Sequence, residues 1–103
     1  MKNVRETLGL SIHEYCAEDD TRSVRGKFPE PVDLKALKAA AEKISTKVML
    51  MERLQALVIP LDQGVVHIHA NGDIVINRIK RLEDAVEFME KLLLEQLNSN
   101  RLH

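Results

Sequence analysis

The chain has one cysteine, Cys16, in 103 residues, so no internal disulfide can staple it and a reducing cytoplasm is its natural setting. It has no tryptophan, one tyrosine and two phenylalanines, too few rings for a surface that stacks bases. No apolar run reaches the roughly 18 residues of a membrane span. The opening MKNVRETLGLS holds no secretory apolar core. An excess of one charge is missing too: 15 Lys and Arg face 16 Asp and Glu, a formal net charge of −1. Attraction to nucleic acid or an anionic membrane would therefore need a local basic patch. Internal repeats and low-complexity linkers are absent as well.

What is present is a globular composition, 45% apolar and 30% charged. The expected organisation is a single domain over residues 1–103 with a modest core, 1–9 as a flexible arm and 98–103 as a frayed tail. Its organising stretch is GVVHIHANGDIVINRIKRLEDAVEFMEKLLL, Gly64 to Leu94. Val65 to Ala70 and Asp73 to Ile79 alternate as strands, and Asn71-Gly72 between them predicts a type I′ hairpin turn. From Leu82 to Leu97 the period becomes helical. Leu82, Ala85, Val86, Met89, Leu92, Leu93 and Leu97 share one face, opposite an acidic one.

Ahead of that stretch, Leu10 to Cys16 reads as a strand with Leu10, Ile12, Glu14 and Cys16 on one side. Glu18 to Thr21 is an acidic turn, and Arg22 to Phe28 is a second strand that pairs with the first. Pro29-Glu30-Pro31 stops it. Asp33 caps a helix from Leu34 to Ile44, buried along Leu34, Leu37, Ala40, Ala41 and Ile44, and Ser45-Thr46 ends it. Lys47 to Leu54 and Ala56 to Leu61 follow as strands, joined by a turn at Glu52 to Gln55 that contains neither Gly nor Pro. The expected fold is α+β: a two-layer sandwich in which a curved antiparallel sheet of five to six strands carries two helices on one face.

From about Ser23 to Leu97 this order of strand, helix, four-stranded meander and long helix resembles one half-repeat of the TATA-box-binding protein family. The resemblance is carried most by GVVHIHANGDIVINRIKRLEDAVEFMEKL, with its turn at Ala70 to Asp73 and the acidic helix start Leu82-Glu83-Asp84-Ala85. It implies the fold. It does not extend to DNA kinking: that family wedges phenylalanines into the minor groove, whereas this chain has Glu52 to Gln55 at one such place and His69 at the other.

Candidate chemistry gathers on the side of the sheet away from the helices. His67 and His69 are two residues apart in a strand and share a face, so both imidazoles point to open solvent if Val66 and Ile68 point to the helices. Met49 and Met51 share a face of their own strand, whose other side, Val48 and Leu50, is also apolar. A strand apolar on both sides implies that its second side meets a ligand or partner. The leading expectation is a non-catalytic binding module using Met49, Met51, His67, His69, Val75 and Asn77, with a homodimer, a protein or a small anionic ligand as its partner. A metal-binding accessory protein holding a divalent ion through His67 and His69 is the alternative; His13, Cys16 and Asp62 are the available third ligands. A nucleic-acid-binding reading draws on Arg22, Arg25, Lys27, Lys47, Arg53, Arg78, Lys80 and Arg81, set against their plain role as solubilising strand charges. An enzyme built on Cys16 would need His13 as base, yet the two fall on opposite faces of a regular strand.

Overall fold

A computed structural model describes residues 4–45 and 47–101, with side chains described as far as residue 97. In chain order the elements are α1 (Val4–Thr7), β1 (Ser11–Cys16), β2 (Thr21–Lys27), α2 (Leu34–Ala41), β3 (Met49–Met51), β4 (Ala56–Pro60), β5 (Val65–His69), β6 (Asp73–Ile79) and α3 (Leu82–Arg101). The strands form one antiparallel sheet in the order β1-β2-β6-β5-β4-β3. The chain is thus an α+β two-layer sandwich. No helix among the described residues is long and apolar enough to cross a membrane.

One cluster makes the core. Val24, Leu57, Ile59, Val66, Ile68, Ile74, Ile76 and Ile79 leave one face of the sheet, and Leu34, Leu37, Ala40 and Ala41 of α2 and Leu82, Ala85, Met89 and Leu92 of α3 meet them. Both longer helices therefore lie on the same side. Asp33 caps α2 as its position demands, its Oδ1 accepting from the backbone N–H of Lys35 at 3.0 Å and of Ala36 at 3.4 Å. α2 ends at Ala41, one turn short of Ile44; Thr46, expected to end it, lies outside the described residues.

The N-terminal stretch corrects the expectation of an arm over 1–9. Residues 4–7 form a helical turn, Leu8 and Leu10 are each 2% exposed in the core, and Lys27 donates its N–H to the Leu8 carbonyl at 2.7 Å. Two leucines two apart in a polar stretch carry no periodic signal, which is why burial there is not legible locally. Met1 to Asn3 lie outside the described residues, as do Leu102 and His103 of the expected tail. The helix that was to end at Leu97 runs to Arg101. Leu97, placed on the buried stripe, is 58% exposed. A helix of 20 residues is about 30 Å long, and no strand here exceeds 7 residues or roughly 24 Å.

The hairpin turn differs from the type I′ expectation. Asn71 keeps a negative φ and only Gly72 is positive, at +104°. Gly72 donates its N–H to the His69 carbonyl at 2.9 Å, so Ala70 and Asn71 are the centre of the turn and the loop has three residues. The cause is register. A two-residue loop would pair His69 with Ile74 and Ile68 with Val75, putting the isoleucines of β6 on the imidazole face and Val75 and Asn77 on the face of Ile68. The observed pairs are Ile68 with Ile74 and His67 with Val75, which keep all the isoleucines inside. Gly72 is also needed for close approach, since a Cβ there would sit 3.2 Å from the carbonyls of Phe28 and Glu30.

Other boundaries move for similarly local reasons. β3 spans three residues rather than Lys47 to Leu54, because the turn begins at Glu52. Gln55 takes φ +49° in the absence of glycine, and its side chain donates to the Glu52 carbonyl at 2.9 Å. In β1 a bulge between Ile12 and Glu14 changes the facing: Ile12 pairs with Val24 on the helix side, while Glu14 pairs with Ser23 on the other. The expected set Leu10, Ile12, Glu14 and Cys16 therefore does not share one side. A second bulge, in β6 opposite Arg22 to Val24, holds Arg78 at φ +60°.

Candidate functional site

The site is the sheet face opposite the helices, and the ladder positions it. Reading across the pairs, Met49, Val58, His67, Val75 and Arg25 form one transverse row from β3 to β2. Met51, Ala56 and His69 form a second row, and Pro60, Val65 and Asn77 a third. All six residues expected on this face, Met49, Met51, His67, His69, Val75 and Asn77, are on it. The sequence reading missed Val58, Val65, Pro60 and Ala56 as their neighbours. The signal was available in β4, where Leu57 and Ile59 alternate with Val58 and Pro60.

The face is uneven. Its centre is aliphatic and half-buried, with Val58, Val65 and Val75. Its β3 edge is more exposed, with Met49 at 53% and Met51 at 41%. Toward β2 it becomes polar. The Ser23 hydroxyl donates to Asn77 Oδ1 at 2.9 Å, fixing that amide, and Lys27 Nζ stands 4.0 Å from Asp73 Oδ1. Of the eight basic residues weighed for nucleic acid, the register puts Arg25 and Lys27 on this face, and Lys27 is already beside a carboxylate. Arg22 turns to the helix side with Ile79. There its guanidinium hydrogen-bonds the Lys80 carbonyl, stacks 4.9 Å from the Tyr15 ring centroid and lies 3.8 Å from Asp20.

His67 and His69 share the open face, and their candidate third ligands do not join them. His13 and Cys16 belong to β1, three strands away, and Asp62 lies in the β4–β5 turn at the end far from His69. Among the described residues no group of three His, Cys, Asp or Glu side chains converges. Cys16 is exposed at the sheet edge, and with Thr21 it hydrogen-bonds the Asp19 carboxylate, Thr21 Oγ1 at 2.5 Å. These bonds, chiefly that from Thr21, hold the Asp19 carboxyl below its ordinary range. Tyr15 shows the opposite shift: its hydroxyl donates to Asp20 Oδ1 at 2.9 Å, and the bond to that carboxylate pushes the phenol above its ordinary value. Asp19 lies in the exposed β1–β2 turn and Tyr15 near the end of β1, on the helix side with Arg22, and neither faces the histidines. His13, the extra residue of the β1 bulge, has its Nε2 3.9 Å from Glu14 rather than beside Cys16.

Compared with protein-family models, curated proteins and solved structures, the chain finds no match.

Proposed function

We propose that this protein is a non-catalytic binding module whose docking surface is the open face of its sheet. The observation that carries the reading is the transverse row Met49–Val58–His67–Val75–Arg25, continuous over five strands, with a valine on each side of His67 and no helix of the described residues above it. An aliphatic patch of this kind, interrupted by imidazoles and bordered by an amide and a guanidinium, is what an interaction surface looks like before it is occupied. The partner favoured is a second copy meeting the first face to face, because a net charge of −1 gives two copies little mutual repulsion. The exposed free thiol of Cys16 supports a reducing, cytoplasmic setting. The order β2-α2-β3-β4-β5-β6-α3 supports the likeness to a half-repeat of the TATA-box-binding protein family, at the level of fold alone.

Sedimentation equilibrium tests the reading. The expected result is a concentration-dependent rise from 11.7 kDa toward twice that mass, abolished by Val75→Lys without loss of fold. A wild-type chain that stays at 11.7 kDa into the millimolar range contradicts the homodimer. Dimerisation indifferent to Val75→Lys moves the interface elsewhere.

A further inference from the structure

Ala56 is 3% exposed, yet it is not part of the core cluster beneath the sheet. Its Cβ points to the open side, in the row Met51–Ala56–His69. Its neighbours on that side are Val58 along β4 and, across the ladder, the thioether of Met51 and the imidazole of His69. Neighbouring strands lie about 4.8 Å apart, so the Cα atoms of Met51 and His69 are roughly 10 Å apart. With only an alanine between them, two side chains of this length have the reach to share one ion above it. One step along the strands, Met49 and His67 flank Val58 in the same way.

Two sulfurs and two imidazole nitrogens thus mark the corners of one small patch. Thioether sulfur is a soft, neutral donor that Mg²⁺, Ca²⁺ and Mn²⁺ leave alone and that Cu(I) favours; imidazole suits copper as well. Among the described residues no group of three His, Cys, Asp or Glu side chains converges here, the Asp73 carboxylate on this face is taken up by Asn71 and Lys27, and methionines occupy the places where a zinc site would want such ligands. We propose that Met51 and His69, backed by Met49 and His67, form a site for a soft monovalent cation, Cu(I) or its chemical analogue Ag(I). Each imidazole binds through the lone pair of its neutral form, and no proton or electron changes hands. The proposal rests on the docking reading above only in requiring that this face be open to solvent.

The test is an Ag(I) titration followed by NMR of methionine methyl and histidine ring signals, in Cys16→Ser protein so that the exposed thiol does not take the ion first. The expected result is a shift of Met49, Met51, His67 and His69 signals that saturates at one equivalent. The methyl of Met89, fully buried in the core, is the internal control and stays in place. Met51→Leu, an apolar exchange at an exposed strand edge, is expected to weaken binding at least tenfold with the fold intact. Absence of a stoichiometric shift at Met51 overturns the proposal. So does an Ag(I) affinity unchanged by Met51→Leu, which would leave the histidines alone as ligands. Should silver fail while Val75→Lys still separates the copies, the docking reading stands without the metal; should both fail, the open face has neither role.

Discussion

The two faces of β4, β5 and β6 are built from alternate residues of the same three strands. On the helix side stand Leu57, Ile59, Val66, Ile68, Ile74 and Ile76, each at 0–1% exposure. On the other stand Val58, Pro60, Val65, His67, His69, Val75 and Asn77, all half-buried, with no helix of the described residues above them. Both faces are largely aliphatic, and the difference lies in side-chain size and company. Isoleucine and leucine fill the side that is sealed by helices, whereas valine alternates with imidazole and amide on the side that is not. A face meant only to stay wet would carry Lys, Glu and Thr at these places. The aliphatic centre of this one is the reason to read it as a contact surface.

Substitutions that treat the two faces alike should break the comparison if the faces are equivalent. Ile76→Ala removes a fully buried side chain and is expected to cost about 3 kcal/mol in denaturant unfolding. Its neighbour tested in the same way, Val75→Ala, should cost less than about 1 kcal/mol, as for a surface position. Equal losses would mean that the open face is sealed. Gly64→Ala probes the bulge that shapes the polar end of that face. A Cβ there would lie 2.6 Å from the Asn77 carbonyl at φ +109°, so a loss of roughly 1–3 kcal/mol is expected. Asp33→Ala uncaps α2 on the sealed side and is expected to cost about 1 kcal/mol, read from the same unfolding curves.

The smallest effect belongs to the end of the β1–β2 hairpin, away from the three strands compared above. Tyr15 is the sole tyrosine in a chain without tryptophan, so its absorbance reports phenol ionisation directly. Its folded-state pKa is raised, so the bond to Asp20 supports the turn throughout neutral and mildly alkaline pH and is lost only as pH climbs through that raised value. Asp20→Ala should bring the midpoint down toward the ordinary phenol value. For Asp19 the sign reverses: its depressed pKa supports the turn above the ordinary carboxyl range, and that support fades as pH falls below it.

Much of this contrast was legible in the chain. His67-Ile68-His69 and Ile74-Val75-Ile76 state the two faces by alternation alone, and Leu82 to Leu92 states which helix face meets them. The misreadings share a cause. Asn71-Gly72 favours a type I′ turn locally, but a slip of one residue would have put Ile68 and Ile74 on opposite faces and exposed one of them, and burial of isoleucines outweighs a turn preference. The bulge at His13 and the left-handed Gln55 arise from pairing partners distant in sequence or from a turn without its usual residue. Leu8 and Leu10 are buried by tertiary contact, which no local period announces. The open-face site was readable residue by residue within each strand, but which residues stand side by side depends on a register that only the folded sheet supplies.

The central claim is that the Val58–Val65–Val75 side is open in a single copy and closed when copies meet. Methyl NMR with a neutral soluble paramagnetic probe, followed over protein concentration, tests it most directly. At low concentration the methyls of Val58, Val65 and Val75 should broaden while those of Val24 and Val66 stay sharp, and at high concentration the first three should recover. Protection of Val75 at every dilution, or broadening that never recovers as concentration rises, would contradict the account.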